Sequence, residues 1–136
     1  MIVVDTSVLY AFFVADDPAH GQAAQLLSDG DEVCVVSPYV IAELDYFMLK
    51  RFGSRGEEAM FRELTEGLYE LAQMQSRDVI ACASLLAEFP DHAIGVTDAS
   101  LVVLADRYQT TRIATLDRRH FRIMRTLDGA PFTLLP

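Results

Sequence analysis

Short runs of β-branched and other apolar residues alternate along this chain with segments in which apolar residues recur every three or four positions. The clearest runs are Ile2-Val3-Val4 and Val33-Cys34-Val35-Val36. Continuous apolar runs of this length are typical of strands that are buried on both faces of a parallel sheet. Weaker strand patterns occur at Tyr69–Gln73, Arg112–Leu116 and Phe132–Leu134. We therefore predict five short strands.

Helix signals fill the segments between these strands. Asp17-Pro18 and Ser37-Pro38 each place a capping residue before a proline, which is a common start of a helix. Ser28-Asp29-Gly30 and Gly53 are expected to end the helices that begin there. The predicted helices cover residues 7–13, 17–27, 38–52, 55–66, 76–89 and 98–108. Because strands and helices alternate, we expect residues 1–136 to form one α/β domain, with a parallel sheet between two helical layers.

Four acidic residues occupy unusual places in this pattern. Asp5 and Asp117 each follow a strand directly, at the edge of an open α/β sheet where ligands bind. Glu43 and Asp98 share the apolar faces of their helices, where an unneutralised carboxylate is unfavourable. Each acid also has a structural interpretation as a helix cap, a turn former or a buried ion-pair partner. The four together favour a shared site.

Carboxylates that converge on one site repel each other unless they take up protons or bind a cation. No histidine or cysteine accompanies these acids at ligand spacing, so the predicted ligand set is all oxygen. Oxygen ligands suit Mg²⁺ or Mn²⁺ better than zinc. One or two such ions would activate water and neutralise the charge of a phosphate.

Charge changes this picture in one respect. The net charge of −9 argues at first against a nucleic-acid partner. However, six arginines and a single acid lie between Arg107 and Arg125. Such a segment is able to present a phosphate-binding surface on an acidic protein, and ordinary salt bridges on a solvated helix are the alternative.

Several features bear on the cellular compartment. No apolar run approaches the roughly 18–20 residues that span a bilayer, and the first residues, MIVVD, lack the basic and apolar regions of a signal peptide. Cys34 and Cys82 are isolated, which is typical of buried thiols in a reducing compartment. We expect a cytoplasmic protein with no membrane partner.

The acids lie in motifs that resemble those of the PIN-domain nucleases, and within them the VapC toxins of prokaryotic toxin–antitoxin pairs. The motifs appear in order, at the family's usual spacing, over nearly the whole chain. They are Asp5-Thr6-Ser7 with Leu9, Ser37-Pro38-Tyr39-Val40-Ile41-Ala42-Glu43-Leu44, Asp98-Ala99-Ser100-Leu101, and Thr115-Leu116-Asp117-Arg118-Arg119-His120-Phe121.

The resemblance implies a Rossmann-like PIN fold with strand order 3-2-1-4-5, which would make Asp5 and Asp117 neighbours. It also implies a metal-dependent endoribonuclease that cleaves structured RNA, commonly tRNA or ribosomal RNA. In this family the catalytic and metal-binding set would be Asp5, Glu43, Asp98 and Asp117, holding Mg²⁺ or Mn²⁺. Homodimerisation and inhibition by a cognate VapB-like antitoxin are implied as well.

Other residues of these motifs are candidates for supporting roles. Thr6 and Thr115 are candidates to orient water or carboxylates around the metal, with backbone capping as the alternative; the same role for Ser7 has weaker support. Arg118 and Arg119 are candidate RNA-binding residues, with surface ion pairing as the alternative.

Two further interpretations concern His120 and the aromatic residues. His120 is interpreted as structural, because water activated by a metal needs no histidine. Most aromatic residues of the two early helices are expected in the core, and the resemblance suggests that some line an antitoxin groove. These aromatic residues are Tyr10, Phe12, Phe13, Tyr39, Tyr46 and Phe47.

Three alternative functions remain open. One is a PIN-type nuclease of housekeeping RNA processing, and another is a phosphatase that uses Asp5 as its nucleophile. Phosphatases of the haloacid-dehalogenase type need a second aspartate two residues later, where Ser7 stands. The third is a non-enzymatic RNA-binding or oligomerisation module whose acids merely cap helices.

Overall fold

The fold is given by a computed structural model that describes residues 1–28, 32–67 and 69–136. Within these residues the chain forms five strands and six helices. The strands are β1 (Ile2–Val4), β2 (Cys34–Val36), β3 (Tyr69–Leu71), β4 (Arg112–Ala114) and β5 (Thr133–Leu135). The helices are α1 (Thr6–Phe13), α2 (His20–Ser28), α3 (Pro38–Glu66), α4 (Ser76–Ala87), α5 (Val96–Arg107) and α6 (Arg118–Ile123).

The strands form one parallel sheet in the order β3-β2-β1-β4-β5, which confirms the predicted topology. β1 is the central strand, and its Val3 is paired with Val35 of β2 on one side and with Ile113 of β4 on the other. All three valine and isoleucine side chains are fully buried, as expected for a parallel sheet covered on both faces. Parallel pairing brings the carboxyl ends of β1, β2 and β4 to the same edge.

Helix α5 is the most deeply buried helix described. Leu101, Val102 and Leu104 are all fully buried, and the helix lies against β1 and β4. Its first turn, which carries Asp98, is thereby held at the carboxyl edge of the sheet. Among the described residues, no helix combines the length and apolar character needed to cross a bilayer.

The break predicted between two helices at Gly53 is present as a bend inside α3. Gly53 has φ 67° and ψ −164°, outside the helical region and in a range of φ that favours glycine. Residues 38–52 and 54–66 therefore take different directions, and the second part leads back towards β3.

Helix boundaries differ from the predictions where side chains form local hydrogen bonds. The Asp17 carboxylate accepts a hydrogen bond from the Ala19 backbone N–H at 2.8 Å, so residues 17–19 form a turn and α2 begins at His20. α5 begins at Val96, so that Asp98 lies in its first turn rather than at its start. The short α6 was not predicted, because six residues show no clear helical period. The helix end predicted at Asp29-Gly30 lies outside the described residues.

Candidate active site

Asp5 lies at the carboxyl end of β1, directly beside the end of β4. Its backbone N–H donates to the Ala114 carbonyl at 2.9 Å, which continues the β1–β4 pairing by one residue. Asp5 as a whole is only 7% exposed. Its side chain caps α1 by accepting a hydrogen bond from the Thr6 N–H at 2.8 Å. The expected capping role is therefore present, and it leaves the carboxylate facing the end of β4.

Two hydroxyl groups hold the other oxygen of Asp5. Ser7 Oγ and Thr115 Oγ1 donate to Asp5 Oδ2 at 2.7 and 2.8 Å. Thr115 also accepts from the Asp117 N–H at 3.1 Å, and Ser7 accepts from the Leu116 N–H at 2.9 Å. The loop that carries Asp117 is thus tied to Asp5 through two side chains, and Ser7 is more closely engaged than its sequence context indicated.

A buried pair of serines sets the positions of the helices that carry Glu43 and Asp98. Ser37 caps α3 by accepting from the Tyr39 N–H at 3.2 Å, and its Oγ lies 2.8 Å from Ser100 Oγ of α5. Ser100 donates onward to the Thr97 carbonyl at 2.6 Å, so the shared proton comes from Ser37. Both serines are fully buried. Sequence reasoning missed this pair, although Ser37 and Ser100 lie within the motifs.

The four predicted acids line one cleft of about 560 Å³ at the carboxyl edge of the sheet. Asp5 and Asp117 enter it from strand ends, and Glu43 and Asp98 enter it from α3 and α5. The complete lining is Asp5, Thr6, Ser7, Tyr10, Glu43, Phe47, Gly95, Thr97, Asp98, Asp117 and His120. Residues far apart in the chain are therefore brought to one concave surface.

The surroundings of Asp98 disfavour its charge. Burial raises its pKa, and the negative charges of Asp5 and Glu43 raise it further. A hydrogen bond from His120 acts in the opposite direction: His120 Nδ1 lies 2.8 Å from Asp98 Oδ2. The interpretation of His120 as merely structural was therefore incomplete, because its ring contacts a proposed metal ligand and lines the cleft.

Asp117 differs from Asp98 because it lies at the rim of the cleft. Its side chain is 54% exposed, caps α6 through the Arg119 N–H at 3.2 Å, and pairs with the Arg119 guanidinium at 3.3 Å. Arg118 instead points to the Pro136 carbonyl, to which it donates a hydrogen bond. Arg119 is thus the better placed of the two arginines for a phosphate at the rim.

The arginine-rich segment does not form one surface. Arg107 ends α5 and pairs with the buried Asp78 at 2.5 Å, while Arg112 begins β4 and pairs with Glu32. Arg112 lies at the edge of the sheet opposite to the acids because it begins β4, and Arg107 lies at the other end of α5 from Asp98. Arg119, in contrast, contacts Asp117 at the rim of the acid cleft.

A divalent metal can be tested against the donors present. The acidic side chains supply only oxygen, and a cation would relieve the repulsion that raises the Asp98 pKa. In residues 1–28, 32–67 and 69–136, no three Asp, Glu, His or Cys side chains are close enough to enclose an ion alone. Mg²⁺ typically keeps several waters and uses one or two carboxylates plus substrate phosphate. The cleft fits such a hydrated ion.

Two aromatic side chains of α3 are more exposed than expected. Tyr46 is 60% and Phe47 38% exposed, and Phe47 packs edge-to-face on both Tyr46 and Tyr10. Tyr10 and Phe47 form an apolar wall of the acid cleft. Phe12 and Phe13 pack against the core as predicted.

Comparison with known proteins identifies the family. The model of the PIN domain matches residues 2–125 of the chain. The chain belongs to the PIN-domain family. It is also 43% identical over 135 residues to Ribonuclease VapC26 of Mycobacterium tuberculosis, an alignment that covers 99% of this chain and 100% of that protein. This PIN domain is therefore a member of the VapC ribonucleases, as its motifs indicated.

Solved structures agree with the PIN fold. VapC20 of Mycobacterium tuberculosis, a sarcin-ricin loop cleaving toxin, superimposes with a TM-score of 0.80 at 19% identity over 88% of this chain and 92% of its own. VapBC2 of Rickettsia felis, bound to promoter DNA, gives 0.70 at 17% identity over 100% of both chains. A toxin–antitoxin complex from Klebsiella pneumoniae gives 0.71 at 15% identity over 91% of this chain and 92% of its own. At these identities the similarity establishes the fold alone.

Proposed function

We propose that residues 1–136 act as a single PIN domain, the toxin of a VapBC-type module, and cleave structured RNA with the help of Mg²⁺ or Mn²⁺. The observation that carries the proposal is the convergence of four carboxylates, two from strand ends and two from helices, on one cleft. Membership of the VapC ribonucleases supplies the reaction class. The similarity to a toxin that cleaves the sarcin-ricin loop makes ribosomal RNA one candidate substrate. The resemblance to PIN-domain nucleases makes tRNA another.

Each site residue has a proposed task in this reaction. Asp5, Glu43, Asp98 and Asp117 would together hold a hydrated metal ion, some of them through its waters. The bound ion would polarise water and offset the charge of the cleaved phosphate. The bonds from Ser7 and Thr115 fix the Asp5 carboxylate in one orientation.

The phosphatase alternative has less support from the residues around Asp5. Phosphatases of the haloacid-dehalogenase type need a second aspartate two residues after the nucleophile, and here Ser7 stands in that place and donates to Asp5 Oδ2 at 2.7 Å. Asp5 therefore lacks the partner acid that such a nucleophile requires.

The proposal predicts a metal-dependent activity that Asp98→Asn removes. Wild-type protein should cleave total cellular RNA with Mg²⁺ or Mn²⁺ and stop in EDTA. The matched control is Asp106→Asn, an exposed aspartate of the same helix α5, which should keep full activity. Sequencing the fragments formed after brief expression in cells would identify the RNA and the bond cut.

Metal binding can also be measured without activity. An ion present at a hundred times its Kd stabilises the folded state by about 2.7 kcal/mol. Wild type and Asp106→Asn should therefore melt at higher temperature in Mg²⁺ or Mn²⁺ than in EDTA, whereas Asp98→Asn should respond much less. Equal shifts in all three proteins would contradict a shared metal site.

We further propose that a VapB-like antitoxin covers the exposed aromatic side chains beside the cleft, and that the protein acts as a homodimer in the cytoplasm. Tyr46 and Phe47 offer an apolar surface next to the acids, suited to an amphipathic segment. Tyr46→Ser should weaken antitoxin binding and leave RNA cleavage unchanged.

The proposed homodimer is tested by light scattering, which measures the oligomeric state. The free thiols of Cys34 and Cys82 suit the reducing environment of the cytoplasm.

A further inference from the structure

A second cleft lies beside the acid cleft and shares a wall with it. Its volume is about 350 Å³, and His120 lines both clefts. The residues that line the second cleft are Asp91, His92, Ala93, Arg119, His120 and Ile123. They come from the loop between α4 and α5 on one side and from α6 on the other.

Two residues connect the chemistry of the two clefts. His120 places Nδ1 against Asp98 in the acid cleft, so the rest of its ring forms the partition. Arg119 lines the second cleft while one of its guanidinium nitrogens contacts Asp117 at 3.3 Å. Its side chain is 76% exposed, and the remaining N–H donors of the guanidinium are available for a phosphate. A ligand chain leaving the acid cleft on this side therefore meets Arg119 and His120.

The opposite wall and the floor suit a nucleotide. His92 provides a further ring nitrogen and a planar face, held edge-on against Phe89 at a centroid distance of 6.0 Å. Ile123 lies one helical turn after Arg119 and is 38% exposed, so it offers an apolar surface to a sugar or base. Asp91 is the one carboxylate of the lining, opposed by the Arg119 cation and two imidazoles. Bases of single-stranded RNA commonly stack on such planar side chains, while arginine holds the backbone.

We propose that the second cleft is a subsite for the RNA nucleotide next to the cleaved phosphodiester bond, with Arg119 and His92 contacting its phosphate and base. This inference rests on the proposed ribonuclease function. The proposal gives the RNA next to the cleaved bond a defined path across the surface, from the acids past His120 towards the α4–α5 loop. Contacts of this kind position the substrate and increase affinity without taking part in the chemistry.

A charge placed in the second cleft tests the proposal. Ile123→Glu and Ile123→Lys add opposite charges at its floor, with Ile123→Gln as the neutral variant. The matched control is the same pair at Ile80, which is 66% exposed on α4 and lines neither cleft. Each pair changes the net charge equally, so a difference between the pairs reports location. The probe is a fluorescein-labelled, single-stranded RNA of nine nucleotides and mixed sequence, measured by anisotropy in EDTA.

The expected effect follows from the charge of one phosphate. At about 6 Å and a dielectric constant near 80, one charge pair changes affinity by about threefold. Ile123→Lys should therefore bind the probe about tenfold more tightly than Ile123→Glu. The slope of log Kd against log salt should be steeper by about one for the lysine variant. The Ile80 pair should differ much less.

A second pair of variants controls for a local change in fold at Ile123. His92→Lys and His92→Glu place the same charges on the opposite wall and should reproduce the order of affinities. If both pairs behave like the Ile80 pair, the subsite is refuted. Cleavage of cellular RNA by the wild type, measured in parallel with Mn²⁺, separates the two proposals. Cleavage without a charge effect overturns only the subsite, whereas a wild type that neither cleaves nor binds RNA overturns both.

Discussion

The hydroxyl group of Thr115 offers the sharpest test of how the acid cleft is organised. Thr115 is fully buried and donates to Asp5 Oδ2 at 2.8 Å, while it accepts from the Asp117 N–H at 3.1 Å. Thr115→Val keeps the shape of the side chain and removes both bonds. Thr115→Ser keeps the hydroxyl and removes only the methyl group. The two variants therefore separate the hydrogen bonds from the packing.

The cost of each change can be worked out from these contacts. Loss of a hydrogen bond to a charged acceptor costs about 1.5–3 kcal/mol, and the extra buried carbon of valine returns about 0.8 kcal/mol. The backbone N–H of Asp117, an exposed residue, takes water as its new hydrogen-bond acceptor. We expect Thr115→Val to lose about 1–2 kcal/mol of unfolding free energy. For 136 residues this corresponds to a melting temperature lower by about 3–7 °C. Thr115→Ser should lose about 1 kcal/mol through its missing methyl group.

Activity should separate the variants where stability does not. Without the Thr115 hydroxyl, Asp5 loses one of the groups that orient it, and outer partners of metal ligands are typically worth 10–100-fold in affinity or activity. Thr115→Val should therefore cleave RNA about 10–100-fold more slowly at saturating Mn²⁺, and Thr115→Ser should stay close to wild type. The reasoning is refuted if the valine and serine variants cleave RNA at the same rate, whether that rate equals the wild-type rate or lies below it.

Three further predictions concern other parts of the fold. His120→Ala should lower cleavage about 10–100-fold, and His120→Asn, whose amide places an N–H where Nδ1 stands, should restore most of it; an asparagine variant no better than alanine would contradict a positioning role towards Asp98. The hydrogen bond from Arg107 lowers the pKa of Asp78, so the charged carboxylate stabilises the fold at neutral pH, and this contribution is lost as the pH falls below 3.8, the ordinary pKa of an aspartate. Urea titrations should show that Asp78→Asn is about 1–2 kcal/mol less stable than wild type at pH 7, and that the difference in stability becomes smaller in acid. Gly53→Ala should destabilise the protein by about 1–3 kcal/mol, because φ 67° with ψ −164° is a conformation that alanine rarely adopts. Gly21→Ala inside α2, equally free of neighbours, should stabilise slightly, and thermal melts giving the same sign for both would contradict this account.

The sequence by itself predicted the five strands, the described helices other than α6, and the four acids that line the cleft. Apolar runs, caps and glycine positions are local signals, and they predicted the five strands and the break at Gly53 because backbone preferences depend mainly on nearby residues. Asp5 and Asp117 were recognisable because each follows a predicted strand, and parallel strands end at one edge. The strand predicted over residues 112–116 is shorter in the structure, where β4 ends at Ala114. Strand order was not accessible in this way and came from the resemblance to PIN domains.

The tertiary structure decided which side chains meet. The Ser7–Thr115 contact joins residues 108 positions apart, and the His120–Asp98 bond spans 22 positions through a helix that the sequence did not predict. Such contacts depend on how elements pack, and no periodic pattern records them. Packing also divided the arginine-rich segment, because β4 carries the chain from one edge of the sheet to the other. Arg112 is therefore left far from the acids, while Arg119 lies beside them and lines the second cleft.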